Sequence, residues 1–403
     1  MTDPSLSALL HNSSARLWED GRWWHMADLV ATARERAHQP DDPVLLSRAS
    51  VADMVQHLLA VDGKVPDLVL RPAEMTDEEC RHLFCSTVGE CNSNEKRATG
   101  EATRWHLATS GTTAHPRLIP HTLASLRRGV RPTPKPPRRW GLVYDPARMA
   151  GLQVLLQALL AGEELVVLPI GSDQAATAAT HAVDALSATP SWWRRLALQG
   201  FPPDWTLRQI TLGGEIADQG ILDRLRTAFP AARIHHIYAS TEAGVGFAVG
   251  DGQAGFPVRY LHTGVANLDL RLADNGHLWL RPPQQDWLDS GDVVEIRGER
   301  VHFLGRATGV INVGGSKVHP ELVEAALCAH DFVAAARVSG KANPILGQVV
   351  YAEVLLSTAA DKDWLKQLRQ HCHKNLAPYQ VPAIIAEMNT LELGPSGKIV
   401  RHD

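Results

Sequence analysis

Residues 107–122 read LATSGTTAHPRLIPHT, a run of hydroxyl residues and glycine that is followed by a proline and an arginine. The apolar WHLA before it predicts a strand, and HTLASLRRG after it predicts a helix. We therefore expect a strand-to-helix turn, where backbone N–H groups and hydroxyl groups together bind an anion such as phosphate. A hydroxyl-rich turn with a helix N-cap is the simpler alternative. A cap, however, explains only two residues of the five-residue run TSGTT at 109–113. No GxxxxGK[ST] loop occurs in the chain.

Three further turns carry polar residues. The letters GGE at 213–215 end one predicted strand, and YASTE at 238–242 ends the next. Because open α/β sheets bind ligands at the carboxyl ends of their strands, we expect both turns to face one site. Glu242, beside two hydroxyl residues, is a candidate magnesium ligand, with a surface turn carrying one exposed acid as the alternative. SGD at 290–292 adds a carboxylate suited to a pair of sugar hydroxyls.

The composition is that of an ordinary globular protein of two or three domains. The 403 residues are 44% hydrophobic and 21% charged, and the formal net charge is -4. This charge offers no general attraction to nucleic acid or to an anionic membrane, so we expect neither as a partner. No apolar run is long enough to span a bilayer, and the first residues lack the pattern of an export signal. We therefore expect a cytoplasmic protein.

Strands and helices alternate through most of the chain. Residues 43–70 predict one βαβ unit with parallel strands, and residues 141–170 predict a second. After about Leu304, short strands, glycine turns and two helices predict a compact α+β unit of typical domain size. Gly305 and Arg306 mark the candidate boundary. The sequence thus predicts an α/β protein with a large first domain and a small last one.

Two clusters of reactive or charged residues have plain structural explanations. Cys80, His82, Cys85 and Cys91 lie close together, but no second pair of ligands follows as it does in a zinc site. Free thiols on a helix and loop are therefore the favoured interpretation. The stretch RRGVRPTPKPPRRW at 127–140 is basic but rich in proline and poor in aromatic residues, which favours a solvated loop over a nucleic-acid or phosphate patch.

The order of the motifs carries more information than any one of them. TSGTTAHPR, GGE, YASTE, SGD, GRATGVINVGGSKVHPELVE and GPSGKIVR resemble, in sequence and in order, the signature motifs of the adenylate-forming superfamily. That family contains acyl- and aryl-CoA ligases, peptide-synthetase adenylation domains and firefly luciferase. The resemblance covers about residues 43–403. It implies a layered large N-terminal domain with parallel-rich sheets over 1–304 and a small mobile α+β C-terminal domain over 305–403.

The resemblance also implies a site for ATP and magnesium. The loop that closes over the β- and γ-phosphates corresponds to Thr109, Ser110, Gly111, Thr112 and Thr113. Arg117 follows where a lysine is usual, and it keeps the positive charge. The adenine pocket corresponds to Gly213, Gly214, Glu215 and Tyr238, and the ribose site to Asp292 with Arg306. Thr241 corresponds to the residue that contacts the α-phosphate, and Glu242 to the magnesium ligand.

The implied reaction joins a carboxylic acid first to AMP and then to a thiol. Lys398 corresponds to the catalytic lysine, which bridges the acid and the reacting phosphate while pyrophosphate leaves. The small domain then turns about a hinge at Thr308, where the family usually has aspartate, and the thiol attacks. The acceptor is CoA or the phosphopantetheine arm of an acyl carrier protein. Only 108 residues precede Thr109, which implies a reduced front of the small stand-alone type and leaves adenylation without thioester formation as an alternative.

The candidate residues for binding the acid itself are Arg148, Gly151, Gly244 and Gly246. The tract GGSKVHPELVE is more like aryl- and acyl-CoA ligases than like peptide-synthetase domains. The aspartate that holds an α-amino group in those domains aligns with Met149, although Asp145 lies four residues earlier. We therefore expect an aryl or acyl rather than an amino acid. Arg148 is suited to a polar or anionic substrate group and the glycines leave room for a ring, with ordinary packing as the alternative.

A different class of function remains open. A degenerate, non-catalytic adenylate- or nucleotide-binding protein would also show three departures from the family pattern. These are Ala114 in place of the usual glycine, Thr308 at the hinge, and the reduced front. Lys398, Glu242 and Asp292 favour the enzyme, because decay tends to remove catalytic groups first.

Overall fold

The computed structural model describes residues 4–35, 44–46, 50–88, 102–109, 116–132, 136–171, 173–241, 244–266, 268–283, 285–357, 360–394 and 398–399. Its helices are α1 (Leu6–Leu10), α2 (Met26–Glu35), α3 (Val51–Val61), α4 (Asp77–Val88), α5 (Leu123–Leu126), α6 (Met149–Leu160), α7 (Gln174–Thr180), α8 (Pro190–Gln199), α9 (Gln219–Ala228), α10 (Arg259–Thr263), α11 (Pro320–Cys328) and α12 (Trp364–Asn375). Short 3₁₀ turns follow at Arg127–Gly129 and Pro378–Gln380.

The strands are β1 (Arg16–Glu19), β2 (Arg22–His25), β3 (Val44–Leu46), β4 (Asp67–Leu70), β5 (Arg104–Ala108), β6 (Leu118–His121), β7 (Arg139–Leu142), β8 (Glu164–Val167), β9 (Ala185–Ala188), β10 (Gln209–Leu212), β11 (Arg233–Ser240), β12 (Gly244–Val249), β13 (Phe256–Pro257), β14 (Asp269–Leu272), β15 (His277–Arg281), β16 (Leu288–Arg297), β17 (Arg300–Arg306), β18 (Ile311–Val313), β19 (Ser316–Val318), β20 (Val333–Asn343), β21 (Gly347–Leu356) and β22 (Ile384–Glu387). The predicted α/β class is confirmed.

The chain folds into two compact units. The first comprises Met1–Ser187, Pro202–Ile210 and Ala239–Val245, and the second comprises Ala188–Phe201, Thr211–Tyr238 and Gly246–Asp403. Strands β9, β10, β11 and β12 each contribute residues to both units. The boundary predicted after Leu304 falls inside the second unit, and the division at that residue stays a prediction.

A four-stranded sheet of the first unit carries the opening stretch of sequence. Its order is β3-β4-β5-β6, with β3, β4 and β5 parallel and β6 antiparallel to β5. The predicted strand-to-helix turn is therefore wrong, since the run after Ala108 leads into a second strand before α5 begins. Pro120 obscured this strand, but β6 lies at the sheet edge, where a residue without an N–H group is tolerated.

Both predicted βαβ units are present. Strands β3 and β4 pair in parallel across α3, and β7 and β8 pair in parallel across α6. The apolar sides of α3 and α6 are fully buried, with Leu58 and Leu155 as examples, and they belong to one hydrophobic core with Trp105 of β5. The larger sheet runs in the order β12-β11-β10-β9-β7-β8-β1-β2, and the β1–β2 hairpin at its end had no counterpart in the sequence analysis.

A buried ion cluster joins β4 to β5. Asp67 accepts two hydrogen bonds of 2.7 Å from Arg104 and one of 2.7 Å from His106 Nε2. Burial opposes the charge on Asp67, but hydrogen bonds from His106 and Arg104 outweigh it and lower the pKa of this carboxyl to about 2. The two strands are thereby fixed side by side, with Asp67 directly opposite Arg104.

The second unit contains two antiparallel-rich sheets. One has the order β13-β17-β16-β15-β14, and the other has the order β19-β18-β21-β20 with β22 paired in parallel to β21. The second sheet packs with α11 and α12 around residues such as Val323, Val338 and Leu368. This confirms the short strands, the glycine turn at 314–315 and the two helices predicted after Leu304.

The basic stretch 127–140 differs from the predicted solvated loop at its C-terminal end. Arg138 Nε donates a 2.8 Å hydrogen bond to the fully buried Glu163, and Arg139 bonds to Glu164. The solvated-loop prediction was wrong here because β7 begins at Arg139 and brings these side chains to carboxylates that are distant in sequence. Of the clustered thiols, Cys80 is buried and Cys85 is exposed on α4, while Cys91 lies outside the described residues.

Candidate functional site

Asp292 is the centre of a polar cluster in the second unit. Its Oδ2 atom accepts a 2.6 Å hydrogen bond from the Tyr238 hydroxyl, and its Oδ1 atom accepts one of 3.0 Å from Arg306 Nη1. The same Arg306 nitrogen also donates to the Ser290 carbonyl at 2.9 Å. Asp292 therefore contacts both Tyr238 and Arg306 directly, and these three residues from three different strands are ones that the sequence placed in one nucleotide site.

The backbone of the β16–β17 hairpin sets this contact. Near its turn the register pairs Val294 with Phe303, but farther along it pairs Val293 with Gly305 and Asp292 with Arg306. Leu304 is thus an extra residue in β17, that is, a β-bulge. Without that bulge Gly305 would lie opposite Asp292, and Arg306 would be one position away.

Arg306 keeps one unused donor. Among the described residues its buried Nε atom has no hydrogen-bond partner. Gly291 has φ +70°, and a Cβ placed on it would lie 3.1 Å from Arg306 Nη2, so a glycine leaves room for the guanidinium. A carboxylate with lone pairs to spare beside an unsatisfied guanidinium nitrogen suits a ligand that carries both hydroxyl and anionic groups.

Tyr238 is held by aromatic neighbours. Its ring stacks on Phe247 with centroids 5.3 Å apart and on Phe303 with centroids 5.2 Å apart. Burial raises the pKa of Tyr238 well above its usual value, and the adjacent Asp292 charge raises it further. The phenol therefore stays protonated and acts as a donor to Asp292. Gly246 is part of this packing, since a Cβ there would lie 2.9 Å from the Tyr238 carbonyl oxygen.

Lys398 lies over the glycine turn that follows β10. A Cβ built on Gly214 would be 3.4 Å from Lys398 Cε and 3.6 Å from Thr189 Cγ2. Gly214 has φ +81°, a conformation that favours glycine. The tail that carries Lys398 is closed by a 2.8 Å hydrogen bond from Gly394 N to the Lys398 carbonyl. The structure therefore brings Gly214 and Lys398 together, and their roles in one site stay a prediction.

Glu215 joins the same group through backbone contacts. Its Oε1 atom accepts a 3.2 Å hydrogen bond from Ile399 N, and its Oε2 atom accepts one of 2.9 Å from Ser191 N in the first turn of α8. Gly213 donates its N–H to the Ala188 carbonyl at 3.3 Å. The sequence placed Glu215 in this region but gave no signal of either contact, because Ser191 and Ile399 carry no motif of their own.

In the first unit, the predicted phosphate loop begins at Thr109 and is closed at its base. Thr109 N donates to the Arg117 carbonyl at 2.8 Å, and Arg117 N donates to Thr109 Oγ1 at 3.0 Å. Ser110, Gly111, Thr112 and Thr113 lie outside the described residues, as does Ala114. The two hydrogen bonds fix the ends of the loop, whatever its interior binds.

Arg148 contacts the start of this loop. Its Nη1 atom donates to the Thr109 carbonyl at 3.2 Å, and its Nη2 atom pairs with Glu74. Burial lowers the pKa of Arg148, and among the described residues its buried Nε atom has no hydrogen-bond partner. Glu74 was missed by the sequence analysis, since nothing near it in sequence points to a site.

Asp145 and Gly151 have structural explanations. The buried Asp145 carboxylate accepts hydrogen bonds of 2.9 Å from Ala73 N and from Ala147 N. Each of its two oxygens is therefore hydrogen-bonded to a backbone N–H group. A Cβ on Gly151 would lie 2.1 Å from the Asp145 carbonyl oxygen. This glycine lets α6 touch the preceding turn, and its role in acid binding stays a prediction.

Thr241 is held through its backbone. His121 Nε2, at the end of β6, donates a 2.8 Å hydrogen bond to the Thr241 carbonyl, a contact that no sequence pattern indicated. Gly244 has φ +72° and open space on its Cβ side, in contrast to Gly246. Glu242 lies outside the described residues. In the second unit, the predicted hinge residue Thr308 is exposed and precedes Gly309, which has φ +83°.

Two protein families match the chain. Residues 28–293 match the family described as AMP-binding enzyme, and residues 322–398 match the AMP-binding enzyme C-terminal domain. The chain belongs to the AMP-binding enzyme family. The suspected resemblance to adenylate-forming enzymes is thereby confirmed, over both parts of the sequence.

Known AMP-binding enzymes resemble the whole chain. A 2-succinylbenzoate–CoA ligase of Bacillus velezensis is 26% identical over 380 residues, which is 81% of this chain and 76% of that protein. The crystal structure of an anthranilate CoA ligase in complex with anthranoyl-AMP has a TM-score of 0.75 at 16% identity and covers 97% of this chain and 93% of that one. The o-succinylbenzoate CoA synthetase of Bacillus subtilis, in complex with ATP and magnesium ion, has a TM-score of 0.68 at 20% identity, with 97% of each chain covered. The fold is therefore that of the adenylate-forming enzymes.

The described residues of this AMP-binding enzyme include no helix that is both long and apolar enough to cross a membrane.

Proposed function

We propose that the chain activates a carboxylic acid with ATP to an acyl-adenylate, releases pyrophosphate and passes the acyl group to a thiol. The observation that carries this proposal is the placement of Lys398 over Gly214 in an AMP-binding enzyme. A compact cation held at the end of a strand can bridge two anions that must approach each other, the acid and the α-phosphate.

The cluster around Asp292 supports a nucleotide there. The Asp292 carboxylate accepts hydrogen bonds from the ribose hydroxyl groups, and Arg306 contributes its charge and an Nε donor that has no partner among the described residues. The backbone of Gly213, Gly214 and Glu215 lines the adenine with Tyr238. Positioning of this kind supplies most of the rate enhancement in phosphoryl chemistry.

Further ATP contacts are proposed from the motif residues at 109–117 and from Thr241. Thr109, Ser110, Gly111, Thr112 and Thr113 hold the β- and γ-phosphates with Arg117, and Thr241 contacts the α-phosphate. The hydrogen bonds between Thr109 and Arg117 support this proposal, because they close the loop at its base. Glu242 is proposed as the ligand of a magnesium ion, which neutralises phosphate charge when bound.

The chemistry proceeds in two substitutions. A carboxylate oxygen attacks the α-phosphorus, the bond to the bridging oxygen breaks, and pyrophosphate leaves with that electron pair. Lys398 stabilises the charge that develops on the α-phosphate oxygens. A thiolate then attacks the acyl carbon, and AMP leaves as the thioester forms.

The acid is proposed to be aryl or acyl rather than an α-amino acid. Asp145, the nearest candidate for binding an ammonium group, gives its oxygens to backbone N–H groups. Arg148, whose buried Nε atom has no partner among the residues that the structure describes, is proposed to face a polar or anionic group of the substrate. Gly244 leaves space for a ring on its Cβ side. A role of Gly151 and Gly246 in binding the acid is proposed from the sequence alone. The relatives that act on 2-succinylbenzoate and anthranilate are consistent with this class.

The acceptor is proposed to be CoA or the phosphopantetheine arm of an acyl carrier protein. We also propose the division into domains 1–304 and 305–403, with Thr308 as the hinge, which agrees with the separate family matches at 28–293 and 322–398. A cytoplasmic location is proposed from the sequence alone.

Exchange of labelled pyrophosphate into ATP tests the proposal across a panel of benzoates, heteroaromatic acids and acyl chains. We expect exchange that depends on one acid class, and a loss of at least about a hundredfold in Lys398→Ala. Lys374→Ala, at an exposed lysine of α12, is the matched control. Binding of ATP without exchange for any acid would point instead to a non-catalytic nucleotide-binding protein. Exchange without thioester formation would limit the function to adenylation.

A further inference from the structure

Glu215 occupies a place that the proposed ATP contacts do not explain. Its two carboxylate oxygens are directed at two different backbone N–H groups, that of Ser191 at 2.9 Å and that of Ile399 at 3.2 Å. A residue that merely lined an adenine pocket through its backbone would need no carboxylate. The side chain instead connects the start of a helix to the residue after Lys398.

The helix end makes a negative charge favourable at this point. α8 begins with the N-cap Thr189 and with Pro190 in its first turn, and Ser191 N is one of the N–H groups that the helix itself leaves unsatisfied. A carboxylate that accepts this hydrogen bond is also stabilised by the helix dipole. Arg194, one turn along the same helix, adds positive charge nearby. Burial opposes that charge, but the acidic groups of Cys328, Asp218 and Glu215 raise the pKa of Arg194.

Ile399 is held from its other side as well. Its side chain packs against a small cluster that includes the buried residues Ala335, Met388 and Leu391. Its backbone forms an antiparallel bridge with Leu393. With Glu215 on the N–H group, three kinds of contact converge on the residue next to Lys398.

The consequence falls on Lys398. Its backbone is covalently joined to the atom that Glu215 binds, and its Cε lies in van der Waals range of the space beside Gly214. A long lysine side chain can adopt many rotamers, so the position of its ammonium group depends on how firmly its backbone is fixed.

We propose that Glu215 is a positioning residue whose carboxylate holds the Lys398–Ile399 backbone above Gly214 and thereby places the Lys398 ammonium for the first half-reaction. This inference rests on the proposed function of Lys398. It assigns the acid of the GGE turn a task that is separate from nucleotide binding.

The first test measures the contact without any activity. Amide hydrogen exchange of a peptide covering 393–399 is compared in the full-length wild type, Glu215→Gln and Glu215→Ala. We expect exchange about tenfold faster in both variants, since the glutamine has one acceptor oxygen where the carboxylate offers two. Unchanged protection of this peptide in Glu215→Ala would overturn the inference, whether or not the proposed function is correct.

The second test separates positioning from binding. In pyrophosphate exchange we expect Glu215→Gln to lower kcat about tenfold while the KM for ATP changes less than about twofold, because the lysine acts on the transition state. In the Lys398→Ala background the same substitution should change the rate less than about twofold. Two results would contradict the assignment: an equal loss of rate in the wild-type and Lys398→Ala backgrounds, or an increase in KM with no change in kcat.

Asp218→Asn is the matched control for stability. Asp218 caps α9 and pairs with Arg194 in the same charge network, but it contacts the backbone of Ile221 rather than the tail. It should lower the unfolding midpoint without accelerating exchange in 393–399. If Asp218→Asn and Glu215→Gln reduced kcat equally, Glu215 would be a structural residue of α8 and the inference would fail. If the wild-type protein gave no pyrophosphate exchange with any acid, the proposed function would be refuted. The amide hydrogen exchange of the 393–399 peptide would still decide whether Glu215 holds Ile399.

Discussion

Replacing Asp67 with asparagine removes the charge that joins β4 to β5, the strand that leads into the loop beginning at Thr109. The carboxylate accepts hydrogen bonds from Arg104 and His106, and its side chain is 12% exposed. Its pKa falls from the usual 3.8 to about 2 in the folded protein. The ionised form is therefore bound more tightly in the folded chain than in the unfolded chain.

The size of the effect follows from this difference. A folded-state pKa below the unfolded value contributes stability that is complete above the unfolded pKa and is lost as the pH falls through the folded pKa. This difference in pKa corresponds to about 2 kcal/mol at pH 6, to roughly half of that at pH 3, and to only a small remainder at pH 2. The Asp67→Asn variant should thus differ from wild type by about 2 kcal/mol near neutrality and by roughly half that at pH 3.

Urea unfolding at pH 6 and at pH 3, followed by far-UV circular dichroism, measures both differences. Val69→Ala is a matched control, since Val69 lies on the same strand, is fully buried and pairs directly with His106. It should destabilise the protein by about 2 kcal/mol at either pH, because it removes apolar contacts and no titrating group. A deficit in Asp67→Asn that is as large at pH 3 as at pH 6 would refute the reasoning.

Two further substitutions test residues of the site. Tyr238→Phe removes the 2.6 Å hydrogen bond to Asp292 but keeps the ring. In a pyrophosphate-release assay we therefore expect the KM for ATP to rise about threefold to tenfold while kcat stays nearly unchanged. A fall in kcat at constant KM would contradict this expectation. Gly151→Ala places a Cβ 2.1 Å from the Asp145 carbonyl oxygen, so we expect a loss of about 1–3 kcal/mol in unfolding free energy by urea titration. Glycine to alanine within a helix otherwise stabilises by about 0.5–1 kcal/mol, so a gain would show that α6 does not touch the turn as described.

Much of the fold followed from hydrophobic patterns. The βαβ units and the elements after Leu304 were predicted because apolar runs, glycine turns and periodic helices lie close together in sequence. Strand β6 was missed because Pro120 argues against a strand, and the sequence gives no indication that this strand lies at an edge. The pairing of Arg138 with Glu163 was missed for a related reason, since it depends on β7 and β8 lying side by side.

The site was predictable as a set of residues but not as a set of contacts. Motif order placed Tyr238, Asp292 and Arg306 in one nucleotide site, yet their hydrogen bonds depend on three strands that are brought together by the fold. Glu215 shows the limit most clearly, because its partners are two backbone N–H groups. Any residue type except proline supplies such a group, so side-chain patterns carry no trace of it.

The bulge at Leu304 has a consequence for comparing related chains. Side chains in a strand alternate between faces, so a shift of one position exchanges the residue that faces a partner for one that points away. The pairing of Asp292 with Arg306 therefore depends on a local count of residues and not on the two side chains alone. A relative that lacks the extra residue, yet keeps an aspartate and an arginine at the same spacing from the hairpin turn, would not form this pair. When related chains are aligned over this hairpin, a gap should therefore be placed so that paired backbone positions match, even where this leaves identical residues unaligned.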